Sequence, residues 1–550
     1  MTNERRRAFS AALIVLGALL RLWQFFGRGS FWIDEAAIAR NVSARSFAGL
    51  LQPLDYAQIA PKGFLFVEKV ATLAFGAHDW AFRLYSILTA LAALPLFYAL
   101  ARRVLDVNGA LLALAFFAVL GRPIYYASEA KQYGGDIFFA CLLLLLALRV
   151  PTHDAAPRHW LRLGVLGAVA VWFSQPSLFI LAGVAVALAL AVRQGKIPLR
   201  WPAVAACVMW ALSGIPSIVV TLHSLKPESQ PYMRSFWSDG FWPLPPRTLA
   251  DAGWPFVNLY GLFRDPLGMP VTALGVGMFV LGCIVLARRR PVTLVALVAP
   301  VVVVFAASAL GIYPVDATVA GLNKIAAGNG RVLLFLVPGL VLVVVAGVMA
   351  LVESPIGWVH RAGILCAAVV VGAPAFYAVT ELPYSPNDVA PLLHVLEARA
   401  RPGDQLYVYY GGEQVFEWYR GRVPFADGQV VRGGCHRLAW REYLREVDAF
   451  RGAGRLWVLV AHPATIHGLG EMSDVTIPYL DRVARRVGQW GAKDAFLVLY
   501  DMKDASPPPG PPAAWHPPPR RLAFADTIAL GRSCTGIYRA SADSISSVRP

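Results

Sequence analysis

The chain has 550 residues, of which 57% are hydrophobic and only 15% charged. A soluble protein of this length carries roughly 25% charged residues, so the composition excludes an ordinary soluble enzyme and points to a membrane protein. The net charge of +16 does not indicate nucleic acid as a partner: the basic residues sit in short clusters at the ends of apolar runs, the pattern that sets membrane orientation.

Apolar runs recur through residues 8–380, several of them long enough for a helix to cross about 30 Å of hydrocarbon. Arg5, Arg6 and Arg7 precede the first, and no small-residue cleavage site follows it, so a retained first helix is expected rather than a signal peptide. About eleven spans are expected, near 9–26, 82–101, 108–121, 134–149, 161–174, 176–193, 202–222, 270–287, 292–312, 332–351 and 362–380. A half-apolar segment at 62–76 is compatible with lying in the interface instead of spanning. With the N-terminus inside, the inner loops gather Arg102, Arg103, Arg288, Arg289 and Arg290, and the long loops 27–81 and 223–269, the short loop 122–133 and segment 313–331 fall outside. The expected division is a transmembrane domain over 1–380 and a soluble extracytoplasmic domain over 381–550.

In that tail DQLYVYYG, RLWVLVAHPA and AFLVLYDM read as strands, and PLLHVLEARA, EQVFEWYRG and YLDRVARRVGQW as helices, giving a small α/β domain. Residues 506–520, rich in Pro, read as a linker. The six cysteines show no metal spacing; Cys435 and Cys534 are the two in the tail, and an extracytoplasmic tail would permit a disulfide between them.

Three polar clusters fall on the outer face. Trp32-Ile33-Asp34-Glu35 follows the first span; on a helix the two acids project about 100° apart and need not share a task. One can face a substrate while the other caps the helix. Between the third and fourth spans, Tyr125-Tyr126-Ala127-Ser128-Glu129-Ala130-Lys131-Gln132-Tyr133 sets an acid, a base and three tyrosines together. A helix there would put Glu129 and Tyr133 on one side. Asn329-Gly330-Arg331 opens the tenth span with Lys324 close by, and segment 223–269 adds His223, Lys226, Tyr232, Arg234, Trp237 and Trp242. Each cluster alone is compatible with interfacial anchoring or helix capping. Together they suit one extracytoplasmic cleft in which acids serve proton transfer and cations hold an anionic leaving group.

On FWIDEAAIARNV, YYASEAKQY and NGRVLLFLVPGLVLV, the chain resembles the membrane glycosyltransferases of the C-type fold. The resemblance is to bacterial relatives of protein O-mannosyltransferases and of the lipid A aminoarabinose transferase. It implies a mainly α polytopic membrane protein with a small extracytoplasmic α/β domain, in which loop 27–81 is catalytic. It implies a polyprenyl-phosphate sugar donor and an envelope glycan, lipid or protein hydroxyl as acceptor. Asp34 is then the general base and Glu35 a supporting residue that orients the site or binds a cation. Glu129, Lys131 and Tyr133 sit at the donor, with Lys131, Arg331 and Lys324 as candidate phosphate ligands. Members of the family differ in metal use; no ligand spacing here assigns a metal, and a divalent cation stays open. The competing function is an envelope transporter or lipid flippase, which would keep its ionisable groups mid-membrane.

Overall fold

A computed structural model describes residues 2–149, 157–198, 201–317, 329–436, 439–463, 465–466 and 469–505. Among these, seven helices are long and apolar enough to cross a membrane: Asn3–Phe26, Leu84–Val104, Trp201–Leu222, Thr272–Arg289, Pro291–Ala309, Gly330–Val352 and Gly357–Glu381. An eighth span is available if Val107–Val119 and Gly121–Ser128, bent by 55° at their junction, are taken together. This is a multi-pass membrane protein. Every expected span has a helix at its place, yet the count of eleven is not reached by length and composition. The helices Tyr133–Ala147, Pro157–Phe173 and Ser177–Arg193 have 15, 17 and 17 residues. At 1.5 Å per residue they reach about 23 to 26 Å, less than the hydrocarbon thickness.

Local sequence sets the helix ends. The Asp106 carboxylate accepts from the backbone N–H groups of Asn108 and Gly109 and so caps Val107–Val119. Arg102 and Arg103 close the preceding helix where its dipole favours cations. Apolar side chains exposed on the long helices, such as Val15 and Leu19 on the first and Leu212 and Ile215 on Trp201–Leu222, are those that lipid covers. Arg21, buried in the first helix, donates to the carbonyls of Gly17 (2.9 Å) and Ala118 (3.2 Å), which secures the helix to its neighbour.

The chain divides into two compact units. One comprises Met1–Arg28, Ala60–His223 and Trp237–Tyr384; the other comprises Gly29–Ile59, Ser224–Phe236 and the chain from Ser385 onward. The first is the helical membrane unit, with its core centred on the almost fully buried helix Val337–Val352.

The second holds a five-stranded sheet. Its strands are β1 (Gln405–Val408), β2 (Val430–Arg432), β3 (Arg455–Ala461), β4 (Arg485–Ala492) and β5 (Ala495–Asp501), in the order β2-β1-β3-β5-β4. β1 runs parallel to β2 and β3, and β5 is antiparallel to β3 and β4. The three expected strands are present. The expected helix YLDRVARRVGQW is corrected in part: the helix ends at Val483, and Arg485 to Ala492 form edge strand β4. Its side chains are exposed or half-buried and show no apolar alternation, which conceals the strand from hydropathy, and the hairpin to β5 creates it. In the core, Glu471 is 5% exposed and accepts from the hydroxyls of Tyr409 (2.6 Å), Tyr410 (3.1 Å) and Tyr443 (3.0 Å). The three donors make its burial tolerable. Cys435 is disulfide-bonded, while Cys534 and the Pro-rich segment 506–520 lie outside the described residues.

Candidate active site

Asp34 and Glu35 open the helix Ile33–Ala44, where the macrodipole favours carboxylates. Their side chains separate at once. Glu35 is fully buried, and its Oε2 accepts from the backbone N–H of Trp32 at 2.9 Å, so it caps its own helix. Asp34 stays half-buried, and its Oδ1 accepts from the Gln58 amide at 3.1 Å.

Gln58 reaches Asp34 from a tight turn. Tyr56 and Ala57 both take left-handed backbone angles, φ 64° and 51°, a strained arrangement for residues with a Cβ. The turn is held from several sides. The Arg40 guanidinium lies 4.5 Å over the Tyr56 ring and also donates to Gln414. Asn41 donates to the carbonyls of Ala37 (2.8 Å) and Asp55 (3.2 Å) and accepts from the Asp55 N–H (2.9 Å). Arg45 and Lys226 both pair with the Asp55 carboxylate. Partial burial works to raise the Asp55 carboxyl; the hydrogen bonds and charges of Lys226 and Arg45 outweigh it and hold it below the usual carboxylate range. Asn41→Ala removes three hydrogen bonds from a residue 1% exposed. It is expected to cost about 1–3 kcal/mol, read as a lowered Tm with the helical circular dichroism retained.

The tail domain grips the start of the same helix. Ser30 donates its N–H to Asp388 (3.1 Å) and accepts from the Val389 N–H (2.8 Å); the Phe31 N–H donates to the Tyr419 hydroxyl (2.9 Å). The Trp32 ring meets His462 edge-on at 4.3 Å. His462 and Asp494 are again left-handed, with φ 53° and 52°. The acidic loop and the tail therefore form one folded body.

The donor-side residues lie in the membrane unit. The expected helical pairing of Glu129 with Tyr133 is corrected: a 3₁₀ turn ends at Ser128, Glu129 is extended, and the next helix starts at Tyr133. Ser86 explains the break. Its buried hydroxyl lies 2.6 Å from the Glu129 carbonyl and 2.7 Å from that of Lys131, and so satisfies backbone groups that a helix would have used. The Tyr133 ring packs edge-on against Tyr126 at 5.1 Å. Tyr126, 1% exposed, lies in the fields of Glu129, Arg122 and Arg331, so the second and third motifs do come together there.

Arg122 and Asp265 hold that assembly, and the sequence reading missed both. The Arg122 guanidinium lies 3.2 Å from Asp265 Oδ1, with the two side chains 6% and 1% exposed. Asp265 Oδ2 accepts from the Gly330 N–H at 3.1 Å, next to Arg331. A Cβ on Gly330 would come within 2.6 Å of the Asp265 carboxyl, so only glycine permits this approach. Burial pushes the Asp265 carboxyl upward, opposed by Arg122, the Gly330 N–H and Arg331. Arg331 also lies 5.9 Å over the Trp237 ring. Lys324 lies outside the described residues. No local signal marks the missed pair: Arg122 lies between Gly121 and Pro123, and Asp265 between Arg264 and Pro266. No group of three or more His, Cys, Asp and Glu suited to a metal ion is found among the described residues.

Residues 60–219 match the family model described as dolichyl-phosphate-mannose-protein mannosyltransferase. The solved structure of ArnT from Cupriavidus metallidurans bound to undecaprenyl phosphate superposes with a TM-score of 0.51 at 13% identity, over 92% of this chain and all of that one. The chain has the C-type glycosyltransferase fold. ArnT in the apo state gives 0.49 at 12% identity, over 91% of this chain and all of that one. The Archaeoglobus fulgidus oligosaccharyltransferase AglB, in complex with an inhibitory peptide and a dolichol-phosphate, gives 0.47 at 11% identity over 92% and 75%. No curated protein matches the sequence.

Proposed function

We propose that this protein is an integral-membrane glycosyltransferase that moves a hexosyl or pentosyl group from a polyprenyl phosphate to an extracytoplasmic hydroxyl. The acceptor is an envelope glycan, lipid or protein. The observation that carries the reading is the division of labour between adjacent acids: Glu35 is buried and caps its helix, while Asp34 is half-buried and oriented by Gln58. A carboxylate fixed by a neighbouring amide and still open to solvent suits a general base.

In the proposed reaction Asp34 takes the proton of the acceptor hydroxyl, and the oxygen attacks the anomeric carbon. The bond from that carbon to the phosphate oxygen breaks on the opposite face, with inversion, and its electron pair stays on the polyprenyl phosphate. Arg331 and Lys131 stabilise the departing charge, so no acid is needed on the leaving group. Glu129 and Tyr133 shape the same donor side. The C-type fold and the solved relative that holds undecaprenyl phosphate support the lipid-linked donor. The positive-inside pattern supports a cytoplasmic N-terminus, an extracytoplasmic tail and a place in the plasma or inner membrane.

The test compares envelope glycans and lipids by mass spectrometry in cells with and without the protein. One molecular species is expected to lose the mass of a single sugar. Identical spectra in both strains, with the protein present in the membrane, would overturn the proposal.

A further inference from the structure

Buried carboxyl groups in folded proteins are almost always met by hydrogen bonds. Among the described residues of the membrane unit, one carboxyl group is wholly unmet and a second, close to it, has an unmet oxygen. Glu68, in the helix Lys62–Phe75, is 0% exposed, and among the described residues neither of its carboxyl oxygens has a hydrogen-bond partner. Asp136, one turn into the helix Tyr133–Ala147, is 2% exposed, and its Oδ1 is likewise unmet. Ser174 approaches the Asp136 carboxyl, yet its own buried hydroxyl completes no hydrogen bond.

Tyr85 connects these groups. Phe64 lies one turn before Glu68 on the same helix, and its ring packs on Tyr85 at 5.1 Å. The Tyr85 hydroxyl lies 3.4 Å from the Phe173 carbonyl, just ahead of Ser174. A Cβ on Gly135 would fall 2.1 Å from that hydroxyl, so the phenol lies against the backbone beside Asp136. Both carboxyl groups lie within electrostatic reach of it. Burial pushes the Glu68 carboxyl above the usual carboxylate range, which favours the protonated form, and that form offers both a donor and an acceptor. Two acids with no third His, Cys, Asp or Glu among the described residues make a poor divalent-metal cage. Buried carboxyl groups, a phenol, a serine and an aromatic face suit a ring that bears hydroxyls.

The position agrees. Ser86, the residue after Tyr85, holds the backbone of Glu129 and Lys131, so the unmet acids adjoin the proposed phosphate segment. We propose that Glu68 and Asp136, with Tyr85 and Ser174, form the pocket for the sugar ring of the lipid-linked donor. This rests on the glycosyltransferase function proposed above and names a specificity site within it.

The test measures binding of undecaprenyl phosphate, bare or carrying mannose, glucose or aminoarabinose, to the full-length protein in lipid nanodiscs. Wild type is expected to bind at least one sugar-linked lipid more tightly than the bare one. Glu68→Gln and Asp136→Asn should each weaken that sugar-linked lipid about tenfold, the worth of one good hydrogen-bond site, and leave the bare lipid within about twofold. Equal weakening of both lipids, or unchanged sugar-lipid binding in well-folded variants, would overturn the pocket. So would a wild type with no preference for the sugar. An effect confined to the amino sugar would also overturn it, because the acids would then be holding an ammonium group. A wild type that binds no polyprenyl phosphate at all would instead remove the functional reading on which the pocket rests.

Discussion

Asp34→Asn is expected to lower the rate of sugar transfer by about 10²- to 10⁴-fold, the usual worth of a positioned general base. The amide keeps the shape of the carboxylate and can still accept from Gln58, so thermal unfolding should remain close to wild type. Glu35→Ala should behave differently. It removes a buried cap and leaves the Trp32 N–H unmet, so it is expected to lower Tm before it alters chemistry at the reacting carbon. Transfer assays in membranes, run beside thermal unfolding of the purified variants, separate the two effects. Full activity in Asp34→Asn would remove Asp34 from the role of base.

Asp265→Ala is expected to be the most destabilising single change in the membrane unit, by about 3–5 kcal/mol, because it takes the carboxylate from a buried guanidinium. It also leaves the Gly330 N–H without its acceptor and frees the segment that carries Arg331. Asp265→Asn retains an acceptor for Gly330 and loses only the charge, so it should fall between Ala and wild type. Arg122→Met combined with Asp265→Leu should be less destabilised than the sum of its single changes, since the double variant removes both charges. Unfolding of the five variants in one detergent decides the matter; additive effects would show that the pair is not coupled.

The two expected effects differ in kind because the residues differ in burial. Asp34 is half-exposed and is proposed to act on a substrate; Asp265 is 1% exposed and acts on its neighbours. That difference also marks what could be read from the chain. The FWIDEAAIARNV segment announces itself, since two acids just after an apolar run stand out against their surroundings. Arg122 and Asp265 do not, since their partnership spans 143 residues and no local pattern predicts it. The YYASEAKQY segment is an intermediate case. Its composition marks it as polar and functional, but its helical spacing misleads, because the hydroxyl of Ser86 competes for its backbone.

By itself the sequence determined the membrane class, the place of nearly every helix, the α/β character of the tail and the likeness to C-type glycosyltransferases. These follow from apolar run length, strand composition and short motifs, all of which are local. The tertiary structure alone decided which acid caps and which stays open, because burial depends on what folds over the helix start. It alone joined the Gly29–Ile59 segment to the tail in one unit, through hydrogen bonds from Ser30 and Phe31 to residues more than 350 positions away. It alone showed the unmet carboxyl groups of Glu68 and Asp136. Hydrogen-bond satisfaction and burial depend on contacts between distant segments, and a linear pattern does not carry them.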